Sequence, residues 1–294
     1  MQTTMTDKTI RLPDGRQLGY AEYGDSQGMP LLFFHGTPGS RLRLSHIDPL
    51  ARDVGVRVVA PERPGFGLSD FQPKRTLLDW ARDVEVLADR LRLERFATMG
   101  ISSGGAYVAA TAYKLPDRVT KAALISAGGP LTLPDATRGM RSSDRLGVRL
   151  ARSGPWAVNL LMRNMARGTN NPERLRKQFM SRLSPVDAAA LQRDEVWNRR
   201  LADLREAFRN GPSGASWDLV LSARPWGFQL EEIQVPTCLW HGELDTTTPV
   251  ALARAMVRAI PNCQATFMPG EGHLSLFLKH EDEIFRSFFT RAQG

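Results

Sequence analysis

The stretch Ala97-Thr98-Met99-Gly100-Ile101-Ser102-Ser103-Gly104-Gly105-Ala106 decides how the rest of this chain is interpreted. It begins with an apolar, strand-like run, passes a serine with a glycine two residues away on each side, and continues with small residues suited to a helix. A serine on such a tight strand-to-helix turn adopts strained dihedral angles, which only small neighbours tolerate. The stretch predicts an exposed nucleophilic hydroxyl at Ser102, with a glycine-rich turn that has no chemical role as the alternative for these residues alone.

Length and composition are those of a globular protein with a full core. The chain has 294 residues, of which 42% are apolar, enough for one large domain or two small ones. No apolar run is long enough for a transmembrane helix, and the polar start of the chain has no signal-like core. Two cysteines, Cys238 and Cys263, provide no disulfide framework. We expect a cytoplasmic protein without a membrane span.

The positive charge of the chain is concentrated in one internal segment. The net charge is +8, and residues 131–230 carry 17 Lys and Arg against 9 Asp and Glu. A basic patch of this kind attracts nucleic acid, anionic lipid or an acidic substrate. Here the arginines are dispersed among acidic residues, which is typical of a solvated helical surface. We therefore predict a small-molecule substrate and no nucleic-acid partner. We also expect an anionic substrate to be attracted if the excess charge faces the site.

Buried strands alternate with helices on both sides of that segment. Alternation of this kind predicts an α/β fold, a mostly parallel sheet with helices on both faces. Residues 131–230 contain no buried-strand run, and prolines interrupt their helical stretches. We expect them to form a helical lid with little core of its own, inserted into a core domain of residues 1–130 and 231–294. The strands are predicted at 29–34, 54–60, in the run from Ala97 to the turn at Ser102, and at 119–126, 235–240 and 264–268. The helices outside the lid are predicted at 42–53, 76–91, 103–114, 248–259 and 281–291.

Residues suited to catalysis follow the predicted strands. Ser102 ends one strand, Thr37 lies just after an earlier one, and Asp245 and His273 follow the last two. Ligands of open parallel sheets bind at the carboxyl ends of the strands, so these residues are expected to meet. Ser, Asp and His occur in the chain order known for one class of nucleophilic triad.

Taken together, these motifs resemble the α/β-hydrolases. The resemblance covers residues 9–130 and 233–291, and its motifs occur in the expected order. They are HGTPG at 35–39, PERPGFGLS at 61–69, GISSGG at 100–105, GELD at 242–245 and GEGH at 270–273. The resemblance implies a serine hydrolase with a nucleophile elbow and an inserted lid.

The resemblance also assigns the catalytic roles. Ser102 would be the nucleophile, His273 its general base, and Asp245 the acid that orients the imidazole. Glu243 is the rival for the acid, two residues earlier in the same loop. The backbone amides of Thr37 and Ser103 would form the oxyanion hole. Supporting roles are expected for His35, Gly36, Gly100 and Gly104, and for Glu62, Arg63 and Ser69.

The sequence narrows the reaction more than the substrate. Haloalkane dehalogenases and epoxide hydrolases have aspartate at the elbow, where this chain has Ser102. Proline iminopeptidases usually show GGPG and a tryptophan after the serine, where this chain has Thr37-Pro38-Gly39 preceded by a single glycine, and Ser103. Hydrolysis of a carboxylic ester or lactone is the favoured activity, with an amide or carbon–carbon bond hydrolase, or a ligand receptor of low turnover, as alternatives.

The lid is expected to supply a hydrophobic pocket roof. Its large apolar side chains are dense, and pockets for small molecules are mostly apolar. We expect no metal and no cofactor, because no group of residues has metal-ligand spacing. The candidate lining residues are Trp156, Trp197, Trp217, Trp226, Phe179, Phe208, Met162 and Met165.

Overall fold

A central eight-stranded sheet organises the computed structural model, which describes residues 7–133 and 136–290. The strands run in the spatial order β1-β2-β4-β3-β5-β6-β7-β8. All neighbours from β4 to β8 pair in parallel, whereas β1 and β2 join the edge as an antiparallel hairpin. The predicted fold class is confirmed. The strands are β1 Lys8–Arg11, β2 Gln17–Gly24, β3 Met29–Phe34, β4 Val56–Pro61, β5 Phe96–Ile101, β6 Val119–Ile125, β7 Thr237–Gly242 and β8 Cys263–Met268.

Helices cover both faces of this sheet, as continuous apolar strands require. On one face, α2 (Leu77–Arg90), α3 (Gly104–Lys114) and α10 (Val250–Ala259) pack into the larger core cluster. On the other, α1 (Asp48–Asp53) and α11 (Ser275–Thr290) pack into a second cluster. Because the central strands β3 to β7 are largely buried on both sides, only their ends are available to a ligand.

Helix α11 begins six residues earlier than predicted. The sequence pattern indicated 281–291, which is the part of the helix beyond a kink at His280. The first turn starts at Ser275, in the loop that carries a predicted catalytic histidine, and its backbone amides bind a side chain distant in sequence. Residue 291 lies outside the described residues.

Six helices occupy the described residues between β6 and β7. They are α4 Ser142–Ser153, α5 Pro155–Gly168, α6 Pro172–Met180, α7 Pro185–Leu191, α8 Asp194–Ala207 and α9 Ser213–Ser222. Pro155, Pro172 and Pro185 stand at the first position of α5, α6 and α7, where proline has no amide to lose. These prolines therefore begin helices rather than interrupt them. Pro134 lies outside the described residues.

The helical segment has a core of its own, contrary to expectation. Buried side chains of α5, α6, α8 and α9 form a separate cluster around Trp197, Leu204 and Val220. Phe66, from the loop after β4, also joins this cluster and connects it to the sheet domain. Within the described part of the chain, no helix is both long and apolar enough to cross a membrane.

Candidate active site

Ser102 lies on a sharp turn between β5 and α3. Its φ of +54° is in the left-handed region, which is strained for a residue with a side chain. The flanking glycines permit the turn because their neighbours approach closely. A Cβ on Gly100 would stand 2.6 Å from the carbonyl oxygen of Gly104, and one on Gly104 would stand 2.2 Å from that of Phe34. This explains the spacing of two residues on each side of the serine.

A chain of hydrogen bonds joins Ser102 to His273 and Asp245. The Nε2 of His273 lies 3.0 Å from Ser102 Oγ, and its Nδ1 lies 2.7 Å from Asp245 Oδ2. The three residues follow β5, β8 and β7, so the parallel sheet brings together side chains up to 171 residues apart. The arrangement suits proton transfer from the hydroxyl to the imidazole.

Asp245 is held in place by its own loop. Its Oδ1 accepts from the amides of Thr247, at 2.8 Å, and Thr248, at 2.9 Å. Its Oδ2 also accepts from the Thr248 hydroxyl at 2.8 Å. Glu243, the rival acid, is directed elsewhere and pairs with Arg254 at 2.9 Å. The carboxylate beside the histidine is therefore that of Asp245.

The two histidines near Asp245 differ in charge preference. Burial alone would lower the pKa of His273, but the adjacent Asp245 carboxylate outweighs it, so the pKa is raised above its ordinary value. Burial lowers the pKa of His241, whose Nε2 lies 2.7 Å from the carbonyl oxygen of Thr248. His241 is thus a neutral packing residue, while His273 is suited to accept a proton and hold it beside a carboxylate.

Two backbone amides face the site without an acceptor. Neither the Thr37 amide nor the Ser103 amide donates a hydrogen bond to any residue that the structure describes. The two residues are also tied together, because the Ser103 hydroxyl donates to Thr37 Oγ1 at 2.8 Å. Gly36 allows the close approach, since a Cβ there would be 3.3 Å from the Cβ of Ser102. The pair has the composition of an oxyanion hole.

His35 and Arg63 support the loop that carries Thr37. Burial and the nearby Arg63 guanidinium hold the pKa of His35 well below its ordinary value. The neutral ring donates from Nδ1 to the carbonyl oxygen of Gly36 at 2.8 Å and accepts the Arg63 amide at Nε2. Arg63 also donates to the carbonyl oxygens of His35 and Gly36. Glu62 and Ser69 are buried in the loop after β4, which also carries Arg63, and Glu62 pairs with Arg41 at 2.8 Å.

Asp218 of α9 binds this loop from the helical segment. Its side chain is 1% exposed, and it accepts from the hydroxyls of Thr37 and Tyr107, each at 2.5 Å. The guanidinium groups of Arg63 and Arg75 donate to the same carboxylate. Burial would raise the pKa of Asp218, but the two arginines reverse the effect and hold the pKa below its ordinary range. An ionised residue of the helical segment therefore fixes the loop that carries Thr37.

Asp187 of α7 makes the corresponding contact to the histidine loop. This buried carboxylate accepts the amides of His273 at 3.2 Å, Leu274 at 2.8 Å and Ser275 at 3.0 Å. It also accepts the hydroxyl of Ser184 at 2.7 Å. Asp187 thus caps the start of α11 and positions the histidine backbone. Sequence reasoning missed both aspartates, because the pattern Ser184-Pro185-Val186-Asp187 indicates only the start of a helix.

A cavity of about 1060 Å³ opens onto Ser102 and His273. The sheet domain forms its floor and the helical segment most of its walls. Met162, Met165 and Phe179 line it, as predicted, together with many leucines. The charged lining is unbalanced: among the described residues it consists of Asp144 and the arginines Arg43, Arg141, Arg167, Arg174, Arg182 and Arg200.

The prediction that four tryptophans line the pocket is wrong. Trp156 is 73% exposed on the outer surface of α5. Trp197 is buried in the separate cluster of the helical segment, where Phe208 also packs. Trp217 donates to the Arg75 carbonyl oxygen at 2.9 Å, and Trp226 packs into the core of the sheet domain. Trp197, Trp217 and Trp226 pack within the segment or against the sheet domain. The flexible side chains of Met162 and Met165 line the cavity instead.

Comparison with known proteins identifies the family. A profile described as the alpha/beta hydrolase fold matches residues 29–280, most of the chain. The chain belongs to the alpha/beta hydrolase family. Its members include a pimeloyl-[acyl-carrier protein] methyl ester esterase of Legionella pneumophila (strain Paris), which is 27% identical over 268 residues, covering 88% of this chain and 96% of that protein.

Other alpha/beta hydrolases match over similar lengths. A 2-hydroxy-6-oxo-6-phenylhexa-2,4-dienoate hydrolase of Burkholderia cepacia is 27% identical, covering 88% of this chain and 86% of the relative. The crystal structure of a hydrolase from Pseudomonas aeruginosa PA01 superposes with a TM-score of 0.74 at 20% identity, covering 99% of this chain and 100% of that one. The two relatives matched by sequence support a hydrolase and leave the scissile bond open, whereas the structural match shows the fold alone.

Proposed function

We propose that this protein is a serine hydrolase that cleaves a carboxylic ester or lactone of a small, largely hydrophobic substrate through an acyl-enzyme. The observation that carries the proposal is the unbroken hydrogen-bond chain from Ser102 Oγ through His273 to Asp245, at the wall of an apolar cavity. An unactivated serine is a poor nucleophile, and a base within hydrogen-bond reach is what it requires.

In the first half of the reaction, the Ser102 oxygen attacks the ester carbonyl carbon while His273 Nε2 takes the hydroxyl proton. The charge that develops on the carbonyl oxygen is stabilised by the amides of Thr37 and Ser103. Asp245 stabilises the imidazolium and keeps the ring oriented through Nδ1. Collapse of the tetrahedral intermediate breaks the bond to the alcohol oxygen, and His273 returns its proton to that oxygen.

In the second half, water replaces the alcohol. His273 takes a proton from the water as its oxygen attacks the acyl carbon, and the same two amides receive the new negative charge. Collapse of this second intermediate breaks the bond between the acyl carbon and Ser102 Oγ, and His273 returns its proton to Oγ. The carboxylic acid is released and the enzyme is restored. No group beyond these residues and water is required for the atoms and protons to balance.

The helical segment 131–230 is proposed as the lid that selects the substrate. Met162, Met165 and Phe179 give the cavity an apolar wall, which suits a hydrophobic acyl or alcohol part. The esterase of Legionella pneumophila supports ester hydrolysis. The dienoate hydrolase of Burkholderia cepacia favours a second candidate, cleavage of a carbon–carbon bond next to a carbonyl group by the same serine.

The test is covalent labelling followed by turnover of a panel of aryl esters with short and long acyl chains. The wild-type protein is expected to react with a fluorophosphonate probe, and Ser102→Ala is expected to abolish labelling and lower turnover about 10^4-fold or more. Ser181→Ala, which changes an exposed lid serine, is the matched control and is expected to label normally. Labelling that persists in Ser102→Ala would exclude Ser102 as the nucleophile.

A further inference from the structure

Arg43 stands at the wall of the active-site cavity without a partner. It belongs to the short 3-10 turn Arg41–Leu44, which follows the oxyanion loop, and it is half-buried. Its guanidinium makes no hydrogen bond or ion pair with any residue in the described ranges 7–133 and 136–290. A cation that is half-buried and unpaired loses part of its hydration, and an anion in the cavity would compensate this loss.

The acidic groups near Arg43 are already engaged. Asp203 accepts from the amide and hydroxyl of Ser40 and pairs with Arg200 at 2.6 Å. Glu281 pairs with His46 at 2.7 Å. Burial and the neighbouring Arg200 lower the pKa of Arg43 to about 10, despite these two carboxylates. Neither carboxylate bonds to Arg43, so its guanidinium donors remain free for an anion in the cavity.

Arg200 supplies a second donor at the same wall. Its side chain is 10% exposed, and besides Asp203 it reaches the carbonyl oxygen of Pro38 at 3.2 Å. Its Nε is buried and has no acceptor. Arg200 is thus anchored to the loop next to Thr37, and both it and Arg43 line the cavity that contains Ser102. Two adjacent guanidinium groups with unused donors match the geometry and charge of a carboxylate.

We propose that Arg43 and Arg200 form an anion subsite that binds a carboxylate group of the substrate, at a distance from the ester that Ser102 attacks. The preferred substrate is then an ester with an apolar chain between its scissile bond and a free carboxylate. This inference rests on the proposed ester hydrolysis and adds a substrate class to it. The apolar lining of the cavity accommodates the chain, and the guanidinium groups determine its orientation.

The test compares matched esters on the wild-type enzyme and on Arg43→Met. One ester series has the carboxylate on the acyl part, as mono-aryl esters of dicarboxylic acids from succinate to azelate. A second has it on the alcohol part, as alkanoyl esters of hydroxybenzoate. Each is paired with a neutral ester of equal length. Arg43→Met is expected to lower kcat/KM for at least one carboxylate ester by about 10- to 100-fold relative to its neutral partner, and Arg43→Lys is expected to restore part of the loss.

Arg193→Met is the control for long-range attraction. Arg193 lies at the start of α8, is exposed and pairs with Glu195, and it does not line the cavity, so its loss removes the same charge from the helix that carries Arg200. If Arg193→Met and Arg43→Met reduce the carboxylate preference equally, steering explains it and the subsite does not exist. Equal responses of charged and neutral esters to Arg43→Met also overturn the proposal.

A binding measurement separates the subsite from the proposed reaction. Calorimetry on Ser102→Ala uses alkanoates, the corresponding alkanols and inorganic phosphate, so it requires no turnover. Alkanoate binding that exceeds alkanol binding and is lost with Arg43→Met supports the subsite even if no ester is hydrolysed. Phosphate binding of equal strength and equal dependence on Arg43 would show a general anion site and overturn recognition of a substrate carboxylate.

Discussion

Replacement of Asp187 tests whether the lid positions the catalytic histidine. The carboxylate accepts three backbone amides at the start of α11, among them the His273 amide, and the hydroxyl of Ser184. Asp187→Ala leaves these buried donors without an acceptor. Loss of a helix cap costs about 0.5–2 kcal/mol. Hydrogen bonds to a charged acceptor contribute about 1.5–3 kcal/mol each, but bonds that share one acceptor are not additive. We therefore expect a total loss of about 3–5 kcal/mol, which is less than the sum of the four bonds.

Asp187→Asn separates stability from positioning. The asparagine oxygen can still accept the amides of Leu274 and Ser275, but its NH2 group meets the His273 amide, donor against donor. We expect a smaller loss of about 1–2 kcal/mol, or a fall in Tm of about 2–8 °C. A displaced imidazole should lower kcat/KM by about 10- to 100-fold.

The assay is hydrolysis of a neutral aryl ester, with thermal unfolding measured on the same samples. Asp194→Asn makes the same change at an exposed position of the helical segment, where the carboxylate pairs with Arg176, and is expected to behave as the wild type. Since the Asp187 carboxylate also raises the pKa of His273, the acid limb of kcat/KM should move to lower pH in Asp187→Asn. An Asp187→Asn enzyme with wild-type kcat/KM, Tm and pH profile would refute the reasoning.

Three further outcomes are expected. Asp245→Asn should lower kcat about 10^4-fold, whereas Glu243→Gln should change it by less than about twofold, and the reverse ranking would move the acid to Glu243. Because catalysis requires neutral His273 and its pKa is raised, kcat/KM should fall as pH drops through a midpoint above 6.5, and a lower midpoint would contradict this. Asp218→Asn should lower kcat by about 10- to 100-fold with little change in KM, since it loosens the oxyanion loop; unchanged kcat would show that Thr37 is held without it.

The sequence predicted the sheet, and it predicted that Ser102, Asp245 and His273 lie together at one edge of it, because both depend on local signals. Continuous apolar runs indicated buried strands, and the glycines around Ser102 indicated the turn that the φ of this residue requires. Ser102, Asp245 and His273 each follow a predicted strand, and the carboxyl ends of parallel strands meet at one edge of the sheet, so the three residues were expected to lie together. Each buried strand and the turn at Ser102 are determined by residue types within a few positions of one another. A single sequence contains this local information.

The side-chain contacts of the lid could not be predicted from the sequence, because they join residues that are far apart along the chain. Asp218 contacts Thr37 across 181 residues and Asp187 contacts His273 across 86, and neither contact has a local pattern. Trp197 was assigned to the pocket on size alone, although a helix with its own core buries its largest aromatic side chains there. The excess of positive charge was evident, but not that Arg43 would face the cavity unpaired.

The two lid aspartates limit how access to the cavity can be gained and how the enzyme can be re-engineered. A rigid outward swing of the whole lid would pull Asp187 and Asp218 from their donors, disassembling the base and the oxyanion loop at once. Substrate entry is better served by rearrangement of α4 to α6, which carry neither aspartate, while α7 and α9 stay docked. If the proposed mechanism holds, a chimaera with a foreign lid requires both carboxylates at their present positions, because the helical insert supports the loops of Thr37 and His273 as well as enclosing the cavity.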